Sequence, residues 1–110
     1  LNRGAGRIEG TAPIGTYGNA GVSGHRDGFF RVLKDVNVGD SVAVDTPRGS
    51  YKYRVTDITI VDKDDLRVLD DSYEQILTLV TCYPFYYVGH APQRYIVRGV
   101  LDDAAPESRM

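Results

Sequence analysis

The sequence predicts an all-β domain. Turn signals recur every ten or so residues, the runs between them are rich in β-branched residues, and one of them, SYKYRVTDITIVD at 50–62, alternates apolar and polar side chains. No stretch sustains the 3.6-residue period of a long helix. Together these point to a small β-barrel or sandwich. The 110 residues fit one domain, and a 42% hydrophobic share is enough to build a core.

Taken in order, residues 1–20 are Gly-rich with weak strand content and predict an extended, turn-rich entry. GNAGVSG then runs into His25 as a short apolar segment. In DGFFRVLKDV (27–36), apolar residues at 29, 30, 32, 33 and 36 after an Asp27 cap predict one or two helical turns. NVGD reads as a turn. Val42 and Val44 lead to the TPRG turn at 46–49. In the long strand 50–62 the alternation slips at Thr56-Asp57, which predicts a bulge or bend. DDLRVLDDS reads as a helical turn or loop, EQILTLVTC (74–82) as a buried strand, PFYYVGHAP as a loop and QRYIVRGVL (93–101) as the last strand. Residues 102–110 read as a polar tail.

The net charge of −2 and the absence of a basic cluster argue against nucleic acid as a partner. No apolar stretch approaches the roughly 18–20 residues of a membrane-spanning helix, and no signal peptide is evident. The chain opens on Leu1 rather than Met, which reads as a fragment lacking upstream sequence.

The chain has a single cysteine, Cys82, at the end of a β-branched run and just before Pro84. One thiol cannot close a disulfide within the chain. With only His25 and His90 beside it, it is too sparse for a structural zinc site. Two readings remain: an inert buried thiol, or a nucleophile presented at a strand end. The dinucleotide-like GAGRIEG has its third glycine one residue late and no strand before it. HRD at 25–27 lacks the rest of a kinase catalytic loop. The arginine nearest downstream of Cys82 is twelve residues on, too far for a cysteine-phosphatase cradle. The caspase signature is absent around Cys82.

A thiol nucleophile needs an imidazole within hydrogen-bond reach and donors for the developing oxyanion. His25 ends one strand-like segment, Cys82 ends another and Arg94 begins the last. Arg98 shares Arg94's strand face but stands roughly 13 Å further along. Tyr83, Phe85, Tyr86, Tyr87 and His90 lie in or beside the loop between Cys82 and Arg94, either lining a groove or, for some, packing inward.

SGHRDGFFRVLKDVNVGD followed by LTLVTCYPFYYVGHAPQRYIVRG resembles the catalytic domain of a sortase. The T-L-x-T-C motif matches Thr78-Leu79-Val80-Thr81-Cys82. The histidine in S-G-H-R matches His25, and Arg94 falls where the family's arginine opens its final strand. The TCYPF…GHAP version is similar to class D and related Gram-negative-type sortases. The resemblance covers residues 1–101 and implies a sortase-like β-barrel with one or two short helices, lacking the family's first two strands. It implies a cysteine transpeptidase that cleaves an LPxTG-like sorting signal through a thioester and passes the protein to an amine. In that chemistry Cys82 is the nucleophile, His25 the acid/base and Arg94 the oxyanion and substrate ligand. Thr81, Tyr83, Tyr86 and His90 are the expected substrate contacts. No cofactor or metal is implied, and Asp62, Asp64 and Asp65 read as solvated surface. An extracytoplasmic, membrane-anchored location and pairing of two chains through exposed strand edges are further expectations. The alternative is a truncated or degenerate sortase that holds a sorting signal with little turnover.

Overall fold

A computed structural model describes residues 5–24, 33–83 and 90–106. Six strands form one curled sheet, a half-barrel: β1 (Ala5–Arg7), β2 (Gly18–Gly24), β3 (Ser41–Thr46), β4 (Gly49–Asp62), β5 (Gln75–Tyr83) and β6 (Gln93–Pro106). The all-β expectation is borne out. Among the described residues the helical segment is a short 3-10 turn, Leu66–Leu69. Most of the predicted helix at 27–36 lies outside the described residues. Its end is described: the Val36 N–H donates to the Leu33 carbonyl, and Leu33 is buried in the core.

The strand order is β1-β2-β5-β6-β4-β3. β2 and β5 pair in parallel, with Gly18 opposite Gln75 and Ser23 opposite Val80, while the other pairs are antiparallel. A parallel pair needs a crossover connection, here supplied by everything from residue 25 through β3 and β4. The functional consequence is direct. Parallel strands end at the same edge of a sheet, so the C-terminal ends of β2 and β5 arrive together. β6 runs antiparallel to β5 and therefore begins at that same end.

Successive side chains of a strand face opposite ways, and the two faces of this sheet differ. Ala20, Val22, Tyr53, Val55, Leu77, Leu79 and Val97 form one buried cluster with Leu33. The opposite face carries Asn19, Gly21 and Ser23 of β2, Thr78, Val80 and Cys82 of β5, and Arg94, Ile96 and Arg98 of β6. The predicted slip in the long strand is a register shift between Val55 and Asp57 against β6. A second shift, between Lys52 and Tyr53, left no mark in the alternation. β6 also runs five residues past the predicted strand end, because β4 is long enough to pair with it as far as Gly49 opposite Pro106.

Candidate active site at the shared strand end

Cys82 stands directly opposite Arg94 in the β5–β6 ladder. Directly opposed residues share a face, with Cβ atoms about 4.5–5.5 Å apart, so the two side chains leave the sheet side by side. Cys82 is half-buried and free, which suits a thiol that must meet a substrate better than it suits a core filler. The Arg94 Nη1 donates to the carbonyls of Ala91 (3.0 Å) and Gln93 (2.8 Å). Among the described residues neither Nε nor Nη2 of Arg94 donates a hydrogen bond. The guanidinium is thus held through Nη1 by two backbone carbonyls.

The third element is the end of β2. Its last residue, Gly24, lies one step beyond the Ser23–Val80 pair. The buried Thr81 hydroxyl donates to the Gly24 carbonyl at 3.1 Å. Thr81 points to the face opposite Cys82, so its hydroxyl ties strand to strand. His25 follows Gly24 in the chain and lies outside the described residues, as does Tyr86. His90 is exposed at the start of the segment leading into β6. Tyr83 stacks on Tyr95, with ring centroids 6.0 Å apart and an interplanar angle of 22°. Burial, with the Tyr83 phenol adding to it, pushes the Tyr95 phenol above its ordinary pKa.

Arg98, the rival of Arg94 on sequence grounds, is engaged elsewhere: its Nη2 donates to the Val68 carbonyl at 2.8 Å. The structure therefore separates two arginines that alternation alone places on one face. The acidic run ends in a cap. Asp65 accepts from the Arg67 backbone N–H and pairs with the Arg67 guanidinium at 2.7 Å. These bonds from Arg67 hold the Asp65 carboxyl at a pKa of about 2. No group of three or more metal-ligating side chains occurs among the described residues.

Comparison with known proteins decides the family. The Sortase domain family matches residues 1–102. The chain belongs to the sortase family. It is 38% identical over 100 residues to Sortase D of Bacillus subtilis (strain 168), covering 90% of this chain and 50% of that protein. It thus spans about half the length of the curated relative it matches. A Clostridium perfringens Sortase D5 transpeptidase superposes with a TM-score of 0.78 at 30% identity, covering 90% of this chain and 62% of that one. The catalytic domain of B. anthracis SrtD gives 0.78 at 35% identity, with 97% and 74% covered. Listeria monocytogenes sortase A, at 24% identity, shares the fold with a TM-score of 0.81 over 96% of this chain and 73% of that one.

Sequence reasoning gives Asn19 no role and names Thr78 only as part of the T-L-x-T-C motif. Both are buried and bonded to each other on the Cys82 face. The available signal was a polar side chain at each position inside a run otherwise fit for burial.

Proposed function

We propose that this sortase domain cleaves an LPxTG-like sorting signal and transfers the acyl portion to an amine. The observation that supports this most is the direct opposition of Cys82 and Arg94 at the sheet end where β2 also terminates. In this reading the Cys82 sulfur attacks the carbonyl of the signal's threonine, forming a C–S bond. The Arg94 donors left unused by backbone carry the negative charge that develops on that oxygen. The C–N bond then breaks, and His25 gives its proton to the departing amine. In the second half His25 takes a proton from the incoming amine, whose nitrogen displaces the sulfur. Thr81 serves by fixing the Gly24 carbonyl, which belongs to the peptide group joining Gly24 to His25. Tyr83, Tyr86 and His90 are proposed to border the substrate.

Sortases work outside the cytoplasm. In the full-length protein we place this domain at the cell envelope, held to the membrane by an N-terminal anchor. The outer edges of β1 and β3, unpaired among the described residues, are where a second chain or further strands would add.

The test is incubation with a panel of sorting-signal peptides and an added amine, followed by mass spectrometry. The expected result is a thioester adduct on Cys82, absent in Cys82→Ala, that the amine converts to a ligated peptide. Labelling of Cys82 by a thiol probe is expected to slow in His25→Ala. Peptide binding without any adduct, in a chain whose thiol does label, would leave a binding module and overturn the transferase reading. Product made with water but never with amine would make it a peptidase.

A further inference from the structure

The segment between β4 and β5 folds back over the Cys82 face of the sheet, held by the side chains of Asn19 and Arg98, with Thr78 orienting Asn19. Asn19 of β2 is 3% exposed. Its Nδ2 donates to the carbonyls of Val68 (2.8 Å) and Asp70 (3.0 Å), and its Oδ1 accepts from Thr78 Oγ1 of β5 (2.5 Å). The amide orientation is unambiguous, because only an NH2 can serve two carbonyls. Arg98 of β6 adds its bond to the Val68 carbonyl. Gly21 lets the segment come close: a Cβ there would sit 3.1 Å from the Leu69 side chain.

The place of this clamp matters. Thr78 and Arg98 face each other two side-chain pairs from Cys82 and Arg94, with Val80 and Ile96 between. A groove of about 240 Å³ runs beside the turn, lined by Val68, by Ile96 and Arg98 of β6 and by Asp57, Ile58 and Thr59 of β4. An extended peptide whose scissile carbonyl sits at Cys82, lying along β6, crosses Ile96 and meets Val68 of the 3-10 turn within roughly 13 Å. We infer that Asn19, oriented by Thr78 and assisted by Arg98, is a positioning residue that sets peptide affinity by fixing the turn Leu66–Leu69 as a wall of the groove. This rests on the peptide-substrate reading above.

The test compares Asn19→Ala, Thr78→Val and Thr78→Ser with the parent domain. KM and kcat for a sorting-signal peptide, the rate of Cys82 alkylation by iodoacetamide, and amide exchange of residues 66–70 are measured. Loss of the clamp is expected to raise KM about tenfold, the worth of one or two buried hydrogen bonds. Both kcat and the alkylation rate should stay within about twofold, and exchange at 66–70 should quicken. Thr78→Ser, which keeps the hydroxyl, should behave as the parent. Should Asn19→Ala fail to fold, the near-isosteric Thr78→Val carries the comparison. Unchanged exchange at 66–70 overturns the clamp, and faster exchange with unchanged KM overturns its role in affinity. A parent domain that alkylates normally but turns over no peptide overturns the functional reading and the affinity role with it, while exchange still decides whether the clamp anchors the turn.

Discussion

Thr81→Val isolates the bond that ties the end of β2 to the end of β5. Thr81 is 2% exposed and donates to the Gly24 carbonyl at 3.1 Å. Valine keeps nearly the same shape, so no cavity opens, and the loss is that of one hydrogen bond, about 1 kcal/mol. For a chain of this size that corresponds to a melting temperature lower by about 4 °C. The activity should fall further than the stability suggests. The Gly24 carbonyl is part of the peptide group that leads to His25, and catalytic groups displaced by about 1 Å lose rate by up to about a hundredfold. If the whole of this ~1 kcal/mol tether goes into orienting the imidazole, kcat/KM drops about fivefold. The assay is peptide transfer to an amine beside thermal unfolding, with Thr81→Ser as the variant that keeps the hydroxyl. Parent-like melting and parent-like kcat/KM in Thr81→Val would refute the reasoning. So would equal damage in the serine variant, since the hydroxyl would then not be the cause.

Gly99→Ala should destabilise the sheet where β6 passes close to the β4 backbone. A Cβ at Gly99 would meet the Arg54 carbonyl oxygen at 2.9 Å and its carbon at 3.2 Å, backbone atoms that cannot swing aside. A cost of about 1–3 kcal/mol follows, read as a lower urea midpoint at unchanged slope. The Tyr53 hydroxyl accepts from the Gly15 N–H at 2.8 Å, and burial pushes its pKa above the ordinary value. Above about pH 10 the unfolded chain releases this proton before the folded one does, so stability should fall as pH rises through that range. In urea unfolding at pH 8 and pH 10.5, Tyr53→Phe should start less stable by about 1 kcal/mol and show a shallower pH dependence.

Much of the site was legible because its chemistry is carried by rare residue types. A single thiol, a histidine at the end of one apolar segment and an arginine at the start of the last strand stand out in any listing of 110 residues. T-L-x-T-C added a pattern specific enough to name a family. The bulge at Val55–Asp57 was legible too, because an extra residue in a strand breaks the period of two. The shift at Lys52–Tyr53 was silent, and so was the length of β6. How far a strand continues depends on whether a partner is there to pair with it, and the partner, β4, is some forty residues earlier.

Arg94 and Arg98 show the boundary most clearly. Spacing places both on one face, and only the fold shows Arg98 bonded to Val68 while Arg94 stands opposite Cys82 in the ladder. Asn19 is similar: a polar residue in a short apolar strand carries no label for its partners at 68, 70 and 78. The amino-acid order alone determined the all-β class and pointed to the candidate reactive groups, since these depend on local backbone preference and side-chain chemistry. The tertiary structure alone decided that β2 and β5 run parallel, and hence that their ends meet beside the start of β6. That pairing is made between residues nearly sixty positions apart, where hydrogen bonds and packing across the sheet outweigh anything a local stretch of chain can encode.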